Sequence, residues 1–122
     1  MQKLLSVTKI WRVNKMVQEE EQLRKETDFY YKDQRLVIVR AAYCDNNNTA
    51  LLLETVAGGS FGCATVNVID LPPDLVAVKD YSENAGMLQA LVEPKIVSPP
   101  KSYIRSGYVT LPVCQIIEPD LL

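Results

Sequence analysis

Residues 35–69 read RLVIVRAAYCDNNNTALLLETVAGGSFGCATVNVI. The stretch holds three runs rich in aliphatic and β-branched residues, which are typical of strands. These runs are 35–44, 49–56 and 61–69. Between them, residues 45–48 offer side chains that hydrogen-bond their own backbone, and Gly58-Gly59 adopts positive φ without steric cost. The pattern predicts three strands joined by short turns, which is an antiparallel meander.

Further strands are predicted on both sides of the meander. Alternation of apolar and polar residues indicates one strand over 4–13, and short apolar runs indicate two more over 75–79 and 107–117. Pro112 lies inside the last of these. Because proline has no N–H to donate to a ladder, Pro112 predicts an edge position, a bulge or a break there.

Two helices are also predicted. Acid-before-base pairs four residues apart favour a helix over 16–28, and Ser82 is placed to cap a second helix over 83–93, which Pro94 prevents from continuing. The sequence therefore predicts an α+β fold for residues 1–122 as a single domain. Its sheet is mainly antiparallel, with two helices packed to one side or end.

Composition excludes several classes of function. The chain has 122 residues, 48% of them hydrophobic, and no histidine, so the usual general base and the usual zinc ligand are missing. Cys44, Cys63 and Cys114 are widely spaced and form no Cys-x-x-Cys pair, so we interpret them as small buried hydrophobes. We expect no enzyme, no cofactor and no metal. The sequence also has no secretion signal and no run of 18 apolar residues, which predicts a reduced, cytoplasmic protein.

Charge is unevenly distributed along the chain. The net charge is −2, which argues against coating a nucleic-acid polymer. Residues 1–15 hold four basic residues and no acid, residues 16–93 hold 6 basic and 13 acidic residues, and residues 94–113 hold three basic residues. If the two ends of the chain meet, they form a positive patch that could hold one small anion. The alternative is that these charges are scattered and only aid solubility.

Four stretches carry more polar or aromatic groups than folding requires: 45–49, 58–62, 81–84 and 103–108. They offer amides, a helix start, stacking rings and arginines, which suit a nucleotide-like ligand. Each also has an ordinary structural explanation as a turn, a capped helix or packing. Asp80 and Glu83 could act as an acid–base pair, but no sequence signal separates them from residues that favour a helix start. The combination favours binding without turnover.

Five blocks of sequence, in this order, resemble the small phage anti-Thoeris proteins: KIWRV, RAAYCDNNNTALLLET, GGSFGCATVN, KDYSENAGM and GYVTLPVC. Proteins of that family capture the cyclic ADP-ribose isomer made by bacterial TIR-domain defence enzymes. The resemblance implies a non-enzymatic sponge in the host bacterial cytoplasm, assembled as a dimer or a higher homo-oligomer. Family members also resemble binders of cyclic di- or trinucleotides at a second site.

The resemblance does not fix the pocket residues, so we select candidates by chemistry. Arginines suit the phosphates, aromatic rings suit the adenine, and asparagines suit the ribose hydroxyls. The candidates are Arg40, Asn48, Phe61, Tyr81, Asn84, Arg105 and Tyr108. The alternative function is inhibition of a host protein by direct contact, with the predicted helix 16–28 as the contact surface. The apolar stripe of that helix also suits a second copy of the chain.

Overall fold

The computed structural model describes residues 24–122, and these form two four-stranded antiparallel sheets. Sheet A contains β1 (Glu26–Tyr31), β2 (Gln34–Ala42), β3 (Thr49–Thr55) and β4 (Ser60–Cys63), in the order β1-β2-β3-β4. Sheet B contains β5 (Thr65–Val66), β6 (Leu75–Val78), β7 (Ser102–Ser106) and β8 (Val109–Gln115), in the order β5-β6-β8-β7. The described residues include one α-helix, α1 (Met87–Val92), and the 3₁₀ turns Ser82–Asn84 and Pro119–Leu121.

The predicted meander is confirmed, and β2, β3 and β4 are its strands. Its first turn uses the asparagines as expected, because the Asn46 side chain accepts a hydrogen bond from the Asn48 amide and Asn47 has a φ of 62°. At its second turn, Gly58 has a φ of 100°. A left-handed backbone of this kind favours asparagine and glycine.

The third predicted strand, 61–69, is divided between the two sheets. Ala64 lies at the point of division. Its N–H donates to the Leu51 carbonyl of β3, while its own carbonyl accepts from the Lys79 N–H directly after β6. The chain therefore leaves sheet A at Cys63 and enters sheet B at Thr65. Residues 67–69 lie in a loop and not in the strand.

The helix predicted over 16–28 is wrong in its last part, because residues 26–28 belong to β1. Its remaining described residues, 24 and 25, are not helical, and residues 16–23 lie outside the described part of the chain, as does the strand predicted over 4–13. In β1, Phe29 and Tyr31 are buried. Burying an aromatic side chain stabilises by about 1.5 to 3 kcal/mol, whereas an i,i+4 ion pair contributes about 0.2 to 0.5 kcal/mol. Burial therefore outweighs the helical charge pattern.

The helix predicted over 83–93 is shorter than expected. It begins at Met87, after Gly86 with a φ of 91°, and Ser82 makes no capping hydrogen bond. Instead the Asp80 carboxylate accepts a 3.0 Å hydrogen bond from the Leu88 amide in the first turn. Within residues 24–122 there is one α-helix where two were expected over the whole chain.

Pro112 lies in β8, an interior strand of sheet B, directly beyond the point where β8 stops pairing with β6. Ala77 and Val113 form the last pair between β6 and β8, so Pro112 pairs only with Tyr103 of β7. The predicted break is thus present on one side of β8. Strand β7, which the sequence patterns did not predict, covers the other side.

The two sheets share one hydrophobic core. Sheet A contributes Phe29, Leu36, Ile38, Leu51 and Leu53. Val76, Val78 and Cys114 come from sheet B, and Met87 and Leu91 come from α1. The segment that leads into α1, residues 79–86, is held against the end of β4 by hydrogen bonds from Asn84 to the Cys63 carbonyl and from the Lys79 N–H to the Ala64 carbonyl. This segment positions the candidate site.

Candidate functional site

The seven candidate residues lie in three separate places. Arg40 and Asn48 hold the loop between β5 and β6. Arg105 and Tyr108 lie in the β7–β8 hairpin. Phe61, Tyr81 and Asn84 lie around the end of β4, near Cys63.

Arg40 is occupied by contacts within the protein. Its guanidinium donates to the carbonyl oxygens of Pro73 at 2.8 Å and Leu121 at 2.9 Å, and to the Asp74 carboxylate at 3.1 Å. A further hydrogen bond of 3.3 Å reaches the Thr49 hydroxyl. The side chain is 16% exposed. With these donors in use, the structure gives Arg40 a structural role and leaves it little capacity to bind a phosphate.

Asn48 is likewise used for folding. It is 5% exposed, and its amide group donates to the carbonyl oxygen of Ile69 at 2.9 Å while its oxygen accepts from the Leu71 N–H at 3.0 Å. Longer contacts of 3.3 Å reach Asn67 and Val68. A buried amide with both ends paired stabilises a loop, and the Asn48 side chain is unavailable to ribose hydroxyls.

Arg105 and Tyr108 lie in the β7–β8 hairpin, at the opposite edge of sheet B from β5, the strand that follows Cys63. Three strand spacings separate β5 from β7 across this sheet, which is about 14 Å. Tyr108 is fully exposed at the hairpin turn, and Arg105 donates only to the Gly107 carbonyl at 3.2 Å among the described residues. These two residues therefore do not join the other candidates in one pocket.

The remaining three candidates lie on two segments that meet at Cys63, and we call this position the Cys63 site. We define it as Phe61, Cys63, Lys79, Tyr81 and Asn84. The Asn84 side-chain amide donates to the Cys63 carbonyl at 2.8 Å, and the Asn84 N–H donates to the Tyr81 carbonyl at 2.9 Å. Phe61 lies two residues before Cys63 and is 42% exposed. The corner at residue 64 thus brings two distant segments, 61–63 and 79–84, into contact.

Lys79 supplies the positive charge of this site. Its Nζ lies 5.6 Å from the centre of the Tyr81 ring, which is within range of a cation–π interaction. A hydrogen bond from Lys79 to the Glu83 carboxylate raises the pKa of Lys79 and lowers the pKa of Glu83. Glu83 is exposed and Lys79 is partly exposed, so the pair is weak and a stronger anion can compete for the ammonium group.

Asn84 offers an acceptor at the same site. The residue is 6% exposed, and its amide nitrogen is used by the Cys63 carbonyl. Between residues 24 and 122, no donor reaches its side-chain oxygen. A ligand hydroxyl or exocyclic amine is the kind of group that would satisfy this oxygen, because buried amide oxygens are normally paired.

The Cys63 sulfur lies beside two hydroxyl groups. It lies 3.6 Å from the Tyr43 hydroxyl and 3.5 Å from the Thr65 hydroxyl, and these two hydroxyls are 2.9 Å apart. Burial, with the contact to Cys63, raises the pKa of Tyr43 to about 12. The tyrosine is therefore protonated at neutral pH and is no general base. The three groups form a hydrogen-bonded cluster around the Cys63 sulfur.

Sequence reasoning missed Lys79, which was assigned only to the end of a strand. The signal that could have found it was its spacing, because Lys79 lies two residues before Tyr81 and four before Glu83, at the start of a turn.

An open groove of about 330 Å³ lies beside α1. Its lining contains Asp80 and Glu93 and no basic residue, so the groove is unsuited to an anion.

Neither a metal centre nor a membrane span is present in the described residues. No group of three or more cysteines, aspartates or glutamates between residues 24 and 122 could hold a metal ion, and no helix in that range is long and apolar enough to cross a bilayer.

Comparison with protein-family models gives no match for this chain, and comparisons with curated proteins and with solved structures give none either.

Proposed function

We propose that the protein is a non-enzymatic phage counter-defence sponge that binds a cyclic ADP-ribose isomer at the Cys63 site. By sequestering that signal in the bacterial cytoplasm, it blocks TIR-based immune signalling. The observation that carries this proposal is the placement of the Lys79 ammonium beside the Tyr81 ring, next to Asn84. A cation, a stacking surface and an amide acceptor are the three groups that a pyrophosphate-containing cyclic nucleotide requires.

The resemblance to anti-Thoeris proteins supplies the identity of the ligand, and the fold supports its use at this site. Two of the five resembling blocks, GGSFGCATVN and KDYSENAGM, are separated in sequence. They meet where Asn84 donates to Cys63 and where the Lys79 N–H donates to Ala64. A third block, RAAYCDNNNTALLLET, contains Tyr43, whose hydroxyl lies 3.6 Å from the Cys63 sulfur.

Each residue has an assigned role in the proposal. Phe61 and Tyr81 offer rings for stacking on adenine, Lys79 offers a charge for the pyrophosphate, and Asn84 offers its oxygen to a ribose hydroxyl or to the adenine amine. Arg40 and Asn48 are not part of the proposed site, because they are occupied by the protein's own carbonyl groups. Arg105 and Tyr108 are not part of it either, because they lie at the other edge of sheet B.

The proposal includes binding without turnover and assembly into at least a homodimer. The chain has no histidine, and the hydroxyl cluster around Cys63 contains no base that could activate water or a thiol. A protein that sequesters a signal needs only to bind it, and the residues of the Cys63 site offer the groups for that binding. A second site for cyclic oligonucleotides is not part of the proposal, since no described residues suggest one.

Isothermal calorimetry with a cyclic ADP-ribose isomer tests the proposal. Lys79→Ala and Tyr81→Ala should each weaken binding by about tenfold or more, because each removes a contact worth about 1 to 3 kcal/mol. The matched controls are Lys101→Ala and Tyr108→Ala, which alter exposed residues away from the site. Equal losses in the controls, or none in the site variants, would contradict this location. A wild-type protein that ignores every cyclic nucleotide would favour inhibition of a host protein instead.

A further inference from the structure

Strand β7 is an exposed edge with a sequence that can pair with itself. Its residues, Ser102 to Ser106, read SYIRS, and all except the half-buried Ile104 are exposed. Among residues 24–122, β8 is the only strand hydrogen-bonded to it. An exposed edge strand is a ready template for pairing with another chain.

The hairpin geometry determines which backbone groups face the open edge. Ser106 and Val109 flank a two-residue turn, in which Gly107 has a φ of 61°. In a two-residue hairpin the flanking residues form a hydrogen-bonded pair, and bonded and non-bonded pairs then alternate along the ladder. Tyr103 and Arg105 occupy non-bonded positions, so their N–H and C=O groups face outward. Pro112, which has no N–H, is the partner of Tyr103, as this alternation allows.

We propose that two copies of the chain join through antiparallel pairing of β7 with β7, centred on Ile104. This inference deepens the proposed homo-oligomer by naming its interface. In this register each Tyr103 lies opposite Arg105 of the other copy, and the outward backbone groups of the two residues form hydrogen bonds across the interface. The tyrosine ring and the guanidinium then lie on the same side of the sheet, where they form a cation–π pair.

The charges on and beside β7 favour the pairing centred on Ile104 over the pairings centred on Arg105 or Tyr103. Centring the pairing on Arg105 would place the two arginines opposite each other, and centring it on Tyr103 would place Lys101 opposite Arg105. Like charges directly opposite each other destabilise a sheet. Only the register centred on Ile104 gives each arginine an aromatic partner, while Ser102 faces Ser106 of the other copy. The result is one continuous sheet made from two copies of sheet B.

Sedimentation equilibrium of the full chain tests this interface. The wild type should be a dimer at micromolar concentration. Tyr103→Lys should raise the dimer dissociation constant by about tenfold or more, because it places a lysine opposite Arg105. The double variant Tyr103→Lys/Arg105→Glu should recover most of that loss, since it places opposite charges across the interface. Tyr108→Lys is the matched control, and it should leave the dimer unchanged because residue 108 lies in the turn beyond the pairing.

The outcomes separate this interface from the rest of the proposed function. A monomeric wild type would contradict both β7 pairing and the proposed homo-oligomer. A dimer that Tyr103→Lys does not weaken, or whose weakening the double variant does not reverse, would contradict β7 pairing and leave assembly to another surface. Circular dichroism of each variant establishes that it is folded. Calorimetry of Tyr103→Lys with the cyclic ADP-ribose isomer measures the Cys63 site independently.

Discussion

The Arg40 guanidinium donates a 2.9 Å hydrogen bond to the carbonyl oxygen of Leu121, which lies 81 residues further along the chain. The same side chain reaches Pro73 and Asp74 in the loop before β6. One residue of β2 therefore connects sheet A to the loop that enters sheet B and to the C-terminal turn. Such long-range contacts stabilise the fold, because they close large loops of chain.

Arg40→Ala should therefore destabilise the protein. Removing this mostly buried guanidinium leaves the Leu121 carbonyl without its donor and breaks the ion pair with Asp74, which costs about 2 to 3 kcal/mol. The Pro73 carbonyl keeps its hydrogen bond from the Thr49 hydroxyl. For a chain of this size the midpoint of thermal unfolding should fall by about 8 to 12 °C. Arg35→Ala on the same strand is the control, because its ion pair with Asp28 is exposed and should matter little. Equal midpoints for the two variants in differential scanning calorimetry would contradict the role given to Arg40.

Glu83→Gln should strengthen binding of the cyclic nucleotide. The Glu83 carboxylate is charged at neutral pH, since its hydrogen bond with Lys79 lowers its pKa. In the proposed complex it would compete with the pyrophosphate for the Lys79 ammonium group. The Glu83 carboxylate is exposed and its ion pair with Lys79 is weak, so the affinity should rise by no more than about fivefold. Glu93→Gln removes an equal charge at the far end of α1 and serves as the control. Weaker binding by Glu83→Gln in calorimetry would show that the carboxylate itself contacts the ligand.

The three cysteines should differ in reactivity toward a thiol reagent. Cys44 is exposed, Cys63 is half-exposed and Cys114 is buried. Burial raises the pKa of the Cys114 thiol to about 11, so at pH 8 only about one thiol in a thousand is ionised, and the thiolate is the reacting form. Mass spectrometry should show labelling in the order Cys44, Cys63, Cys114, with Cys114 labelled only on unfolding. Early labelling of Cys114 in the native protein would contradict its place in the core.

Ligand bound at the Cys63 site should lower the labelling rate of Cys63. The Cys63 sulfur lies beside Tyr43 and Thr65, and its carbonyl is held by Asn84, so a molecule covering Tyr81 and Lys79 also restricts access to this thiol. Cys44 provides the internal control, because it lies outside the site on the turn after β2. If the cyclic ADP-ribose isomer binds but both thiols react at unchanged rates, the pocket lies elsewhere in the chain.

The sequence predicted the fold where local signals and packing agree. The meander followed from turn residues such as Asn47 and Gly58, whose positive φ values reflect local chemistry. Strand β1 was missed because the charge pattern over residues 20–28 is typical of a helix. The burial of Phe29, which outweighs this pattern, depends on tertiary contacts. Strand β7 was missed because SYIRS has no apolar alternation and is exposed in the structure.

The candidate site was harder to predict, for a reason that Arg40 and Asn48 illustrate. Their side chains have the chemistry of phosphate and ribose ligands, but the groups they bind are carbonyl oxygens of distant residues such as Pro73 and Ile69. A sequence shows what a side chain can bind and does not show whether the fold already supplies a partner. Tyr81 and Asn84 were predicted together because they share one short segment, whereas their contact with Cys63 depends on the corner at residue 64.

We propose that the Cys63 site holds a cyclic ADP-ribose isomer intact. The most direct measurement is calorimetric titration of wild type and Lys79→Ala with that nucleotide, followed by heat denaturation of the loaded wild type and mass analysis of what it releases. We expect at least about tenfold weaker binding by the variant and release of the unaltered cyclic nucleotide. Equal affinities would place the ligand elsewhere, and release of ADP-ribose or another opened product would show that the protein is an enzyme.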